Sequence, residues 1–147
     1  MPATCASWTR LCVLALMAAG PAGAADPPLP MKTYTFKTVG DVKVQADVYR
    51  ADDKSVRPVV LWIHGGALIM GNRKSVPKNL LELCRDEGYA LVSVDYRLAP
   101  EVKLREIVSD LEAAWNWVRG DGARACRLDA KRIVVTGGSV TPHRRVR

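Results

Sequence analysis

Three short, nearly uninterrupted apolar runs constrain this chain more than anything else in it. They are Val59-Val60-Leu61-Trp62-Ile63, Ala90-Leu91-Val92-Ser93-Val94 and Ile133-Val134-Val135. Runs of this length, rich in β-branched residues, read as strands covered on both faces rather than strands alternating between core and solvent. The stretches between them carry a helical period. Residues 76–87 include Leu80, Leu81, Leu83 and Cys84, and Gly88 stops them as a helix C-terminal glycine does. Over residues 104–119, Leu104, Ile107, Val108, Leu111, Ala114, Trp115 and Val118 share one face at 3.6-residue spacing, and Gly120 ends the run. The face places Trp115 in the core, so Trp115 and Trp117 are not read as a sugar or base platform. Upstream, residues 33–39 read as a strand and Gly40-Asp41 as a two-residue hairpin turn. Val42, Val44, Ala46 and Val48 then alternate with polar neighbours, as in a half-buried antiparallel strand. The order hairpin, strand, helix, strand, helix, strand predicts an α/β fold. Its sheet is mostly parallel, with an N-terminal antiparallel hairpin and helices on both faces.

The flanks differ from this body. Residues 1–25 hold one charge, Arg10, then an apolar run over 11–19 and the small-residue stretch Ala22-Gly23-Ala24-Ala25. That is the pattern of a signal peptide, cleaved after Ala24 or Ala25, and it predicts a secreted or periplasmic protein. The apolar run is about half the roughly 20 residues a spanning helix needs, so no stable membrane anchor is expected. Residues 26–31 are a Pro-rich lead-in, 32–139 the folded body and 140–147 an irregular basic tail. Of the net charge of +7, one unit is Arg10 and three are Arg144, Arg145 and Arg147. The remainder is scattered among acids, which describes an ordinary solvated surface and no nucleic-acid face. Cys84 and Cys126 lie outside the signal. They have no metal-ligand spacing, so no metal is expected, and two cysteines do not make a disulfide framework.

Ligands in parallel sheets sit at the carboxyl ends of the strands, and three motifs occupy those ends. His64-Gly65-Gly66-Ala67 follows the first buried strand; its glycines let backbone N–H groups approach a ligand closely. Asp95-Tyr96-Arg97-Leu98-Ala99-Pro100-Glu101 follows the second. Asp95 and Glu101 beside Arg97 read as a structural ion pair rather than as paired catalytic carboxylates. Thr136-Gly137-Gly138-Ser139 follows the third, and a Gly-x-Ser after a buried strand resembles the start of a nucleophile elbow, although flexible loops also contain it often.

The ordered set His-Gly-Gly, Tyr-Arg-Leu-Ala-Pro-Glu and Gly-Gly-Ser, each after its own apolar strand, resembles the α/β-hydrolases. More narrowly it resembles the carboxylesterase and lipase group related to hormone-sensitive lipase. The resemblance covers residues 32–139, about the first half of a domain that usually spans about 200–250 residues. It implies that Ser139 is the nucleophile of an acyl-enzyme mechanism acting on a small acyl-ester substrate. It implies an oxyanion hole from the N–H groups of Gly65, Gly66 and Val140, a loop-ordering role for His64, and no metal or organic cofactor. By the family topology, the helix carrying Cys84 and the loop carrying Cys126 lie on opposite faces of the sheet, too far apart to bridge.

Two departures from the family pattern matter. Thr141 and Pro142 stand where the elbow needs a glycine and the start of a helix. In this fold an Asp or Glu and then a His follow the nucleophile along the chain; here nothing acidic follows Ser139, and the one later histidine is His143. The triad acid and base are therefore absent, and the sequence predicts a chain cut off just past its elbow and inactive as written. The alternatives are a non-catalytic hydrolase-fold fragment or binding module, and a serine peptidase of the same fold.

Overall fold

The computed structural model describes residues 28–138. The expected signal peptide, the tail over 140–147, Ser139 and Val140 lie outside the described residues. The elements, in chain order, are β1 (Met31–Val39), β2 (Val42–Tyr49), β3 (Arg57–Ile63), α1 (Lys78–Asp86), β4 (Ala90–Val94), α2 (Leu104–Arg119), α3 (Asp121–Cys126) and β5 (Leu128–Gly137). They form one mixed five-stranded sheet in the order β1-β2-β4-β3-β5. The hairpin β1–β2 is antiparallel and joins β4 antiparallel, while β3 is parallel to both β4 and β5. Gly40 opens the hairpin turn with φ +56°, which suits the first central position of a tight turn. This is an α/β fold with the expected N-terminal antiparallel hairpin and parallel strands behind it.

The two crossovers run in opposite directions across the sheet, from β3 to β4 and from β4 past β3 to β5, so their helices cover opposite faces. On one face Val59 and Leu61 of β3 and Ala90, Val92 and Val94 of β4 pack under Ala114 and Val118 of α2 and Cys126 of α3. On the other, Val60, Trp62 and Leu91 pack under Cys84, Leu80 and Leu81 of α1. Both cysteines are buried and unbridged, one in each layer.

Five expectations need correction. Residues 133–135 were expected to be covered on both faces, yet Val134 is 64% and Val135 50% exposed. β5 is the edge strand among the described residues, with β3 its only described neighbour. Leu104 and Val108 lie on the apolar stripe of α2 but are exposed, because the stripe is wider than the part of the sheet it covers. The segment carrying Cys126 is a six-residue helix rather than a loop. Finally, β2 is not half-buried throughout: Asp47, on the polar side of its alternation, is fully buried. β1 also starts at Met31, inside the expected Pro-rich lead-in.

Candidate active site

The register of the sheet brings the three motifs to one end. Ile63 pairs with Val94 on one side and with Gly137 on the other, so the residues that follow these three strands emerge together. His64 is 3% exposed. Its ring stacks on Tyr96, with centroids 4.3 Å apart and planes 9° from parallel. The Tyr96 hydroxyl donates to the His64 carbonyl at 3.0 Å. His64 Nδ1 lies 2.9 Å from the Gly65 carbonyl oxygen, and in the tautomer with a proton on Nδ1 it donates there. Burial raises the pKa of Tyr96, so its phenol stays a neutral donor.

Beyond His64 the backbone turns through the left-handed region at Gly66 (φ +123°), Ala67 (φ +53°) and Leu68 (φ +66°), and again at Gly71 (φ +100°). Non-glycine residues there cost roughly 1–2 kcal/mol each, and such conformations persist only where the surroundings enforce them. At Gly66 a Cβ would stand 2.0 Å from the Met70 carbonyl oxygen. At Gly71 it would stand 2.4 Å from the Gly65 carbonyl oxygen and 2.5 Å from His64 Nδ1. The loop thus folds back on its own first residues, and only glycine fits at either contact. Within it the Gly66 carbonyl accepts from the N–H groups of Ile69 (3.0 Å) and Met70 (3.1 Å), and the Leu68 carbonyl accepts from Ala99 N–H (2.8 Å).

The end of β5 lies against this loop. Gly138 N–H donates to the Ile63 carbonyl at 3.1 Å, and a Cβ on Gly138 would stand 3.4 Å from the Gly65 nitrogen. A cavity of about 550 Å³ opens here, lined by Gly65, Gly66, Leu68, Leu111, Val135 and Gly138 among others. Among the described residues the N–H groups of Gly65 and Gly66 donate to no protein acceptor. Two unpaired N–H groups at the mouth of a cavity can receive a developing oxyanion.

The ion pairing differs from the expected pattern. Arg97 pairs not with Asp95 or Glu101 but with Asp110 of α2, through Nε at 2.8 Å, Nη2 at 2.9 Å and its backbone N–H at 3.0 Å. Lys37 of β1 reaches the same carboxylate at 2.7 Å. Burial works against the Asp110 charge, but hydrogen bonds from Arg97 and Lys37 outweigh it and hold the carboxyl below its ordinary pKa. Asp95 instead pairs with Arg73, which also reaches Asp47. Neither Asp110 nor Arg73 was singled out from sequence. A signal existed for Asp110, which lies three residues after Ile107 and four before Ala114 on the buried stripe of α2. A carboxylate there has to be paired. Glu101 stands exposed at the loop and joins no described ion pair. No group of metal-ligating side chains occurs among the described residues.

The BD-FAE family model matches residues 46–144. Among curated proteins, the non-reducing polyketide synthase ausA of Aspergillus calidoustus is 36% identical over 151 residues, covering 89% of this chain and 6% of that protein. Among solved structures, EstE1, a thermophilic carboxylesterase cloned from a metagenomic library, superposes with a TM-score of 0.68 at 34% identity, over 79% of this chain and 39% of its own. The esterase of Pyrobaculum calidifontis gives a TM-score of 0.68 at 33% identity, over 78% of this chain and 37% of its own. The chain therefore spans a small fraction of the curated relative and less than half of either esterase.

Proposed function

Because the chain belongs to the BD-FAE family, we propose that it carries the nucleophile and oxyanion hole of a carboxylic-ester hydrolase. The observation that carries this reading is the approach of Gly138, the residue before Ser139, to Gly65: a Cβ there would stand 3.4 Å from the Gly65 nitrogen, and both residues line one cavity. In the proposed reaction Ser139 Oγ attacks the acyl carbon of a small ester. The carbonyl oxygen gains charge facing the N–H groups of Gly65, Gly66 and Val140, each worth roughly 3 kcal/mol when well placed. The alcohol leaves with a proton, and water then releases the acid from acyl-Ser139. His64, buried and stacked on Tyr96, orders the loop instead of moving protons. The mechanism needs no metal and no organic cofactor. Residues 1–25 are proposed to direct export to the periplasm or the outside; mass spectrometry of exported protein should find an N-terminus at Ala25 or Asp26, and one at Met1 would reject this.

A serine hydroxyl without a base is a poor nucleophile at neutral pH, and residues 140–147 hold one histidine, His143, and no acid. The 147-residue polypeptide by itself is therefore proposed to be inactive. The exposed valines of edge strand β5, Val134 and Val135, favour a second reading, a non-catalytic module that binds along this edge. A short-chain p-nitrophenyl ester, with Ser139→Ala as control, tests the first claim: the polypeptide alone should show only weak, Ser139-independent background. Robust turnover lost in the Ala variant would overturn the inactivity and direct attention to His64 and His143. Joining residues 26–139 to the remaining portion of the Pyrobaculum esterase should restore Ser139-dependent turnover. A folded chimaera lacking it would favour the binding module.

A further inference from the structure

We infer that Arg73 is a positioning residue for the proposed oxyanion loop, clamping its return so that the Gly65 and Gly66 N–H groups point into the cavity. The inference rests on the reading of residues 64–73 as that loop. The loop has no regular structure, runs through left-handed backbone at four positions and exposes Ile69 and Met70. Little burial holds its middle, where one bond from Ala99 to the Leu68 carbonyl is the tie to the rest of the fold, so its conformation depends strongly on its ends. Tyr96 secures the entry through His64. Arg73 secures the exit through both its backbone and its guanidinium. Its backbone N–H donates to Asp95 Oδ1 at 2.7 Å and its carbonyl accepts from Ser93 Oγ at 2.6 Å. Its Nε donates to Asp47 Oδ1 at 2.9 Å, and Nη1 donates to Asp95 Oδ2.

The anchor points are rigid. Asp47 and Ser93 are fully buried and directly opposite each other in the β2–β4 ladder. The Asp95 N–H continues that ladder by donating to the Gln45 carbonyl at 2.8 Å. Thr33 Oγ1 donates to the same Asp47 oxygen at 2.6 Å. Two carboxylates thus face one guanidinium. Burial opposes the Arg73 charge, but its hydrogen bonds to both carboxylates raise its pKa above the ordinary value. Two residues earlier, Gly71 rests on Gly65 and His64. Fixing residue 73 therefore fixes Gly71, and Gly71 fixes Gly65 and Gly66, whose N–H groups find no acceptor among the described residues. A planar fork can serve both carboxylates at once, whereas a lysine, a single point charge, cannot. Arg73 does not line the cavity, so it acts through the loop alone.

The test uses the full 147-residue chain as Arg73→Lys and Arg73→Gln. The first readout is amide hydrogen exchange at Ile69, Met70 and Ala99, whose donated bonds report the loop conformation. Both variants should exchange at these amides at least about tenfold faster, while β3 and β4 amides stay unchanged. A role in charge balance alone would be rescued by Arg73→Lys, and that rescue overturns the inference. Equal acceleration across the whole sheet, or no acceleration in either variant, also overturns it. If Arg73→Gln does not fold, Arg73→Lys decides. The second readout is a butyrate titration followed at the Gly65 and Gly66 amide resonances. Shifts in the parent that vanish in Arg73→Lys support positioning. Absence of shifts in the parent overturns the oxyanion reading of the loop, while the exchange data still decide whether Arg73 clamps it.

Discussion

Asp110→Ala should be the most damaging single change outside the apolar core. The Asp110 side chain has no solvent exposure, and its two oxygens serve Arg97 at three donors and Lys37 at one. Removing one partner of a buried, hydrogen-bonded ion pair costs roughly 3–5 kcal/mol, because the other charge is left without compensation. Arg97 and Lys37 keep 16% and 21% side-chain exposure, so water compensates them in part and the lower figure applies, about 3 kcal/mol. For a domain of this size that lowers the melting midpoint by roughly 10–20 °C. Asp110→Asn keeps the shape but presents an NH2 group to at least one of the existing donors, so it should recover less than half of the loss. The assay is urea unfolding followed by tryptophan fluorescence, since Trp62 and Trp117 are packed against the two cores. The parent should also lose stability in acid. Because the folded Asp110 pKa is depressed, its contribution is complete above the ordinary carboxylate range and disappears as pH falls through the lower, folded value. Asp110→Asn should flatten that part of the profile. A loss below about 1 kcal/mol for Asp110→Ala would refute the reasoning, since it would put the pair at the value of an exposed surface bridge.

Two further outcomes follow from the same geometry. Gly66→Ala places a Cβ 2.0 Å from the Met70 carbonyl at φ +123°, so the loop must rebuild; we expect a loss of roughly 1–3 kcal/mol in urea unfolding, and an unchanged midpoint would mean that the loop is laid out differently. Burial raises the Cys84 thiol to about 11 and also raises Cys126. At pH 8 neither should react with a thiol reagent in the native protein, and both should react after unfolding without reductant. Finding none would show a bridge across the sheet and contradict the placement of the two cysteines in opposite layers.

Much of the fold was legible because periodicity is a local property. The run at 90–94 became a fully buried strand, that at 59–63 is buried up to a half-buried Ile63, and α2 begins and ends where the 3.6-residue pattern and Gly120 put it. The glycines of the His64 loop were legible as close-approach positions. Partner choice was not legible. Arg97 lies two residues from Asp95 and four from Glu101, yet it takes Asp110, thirteen residues away, because α2 folds back over the strand exit. Asp95 takes Arg73, twenty-two residues upstream, because the loop after β3 returns across β4. Asp47 looked like the solvent side of an alternating strand and became buried when that same loop covered it. The apolar run at 133–135 shows the converse: its composition matches the other two strands, but half or more of Val134 and Val135 faces outward. Strand identity depends on neighbours along the chain, so composition and spacing determine it. Burial and ion pairing depend on which surfaces the crossovers and strand register bring together, and these were decided only by the tertiary structure.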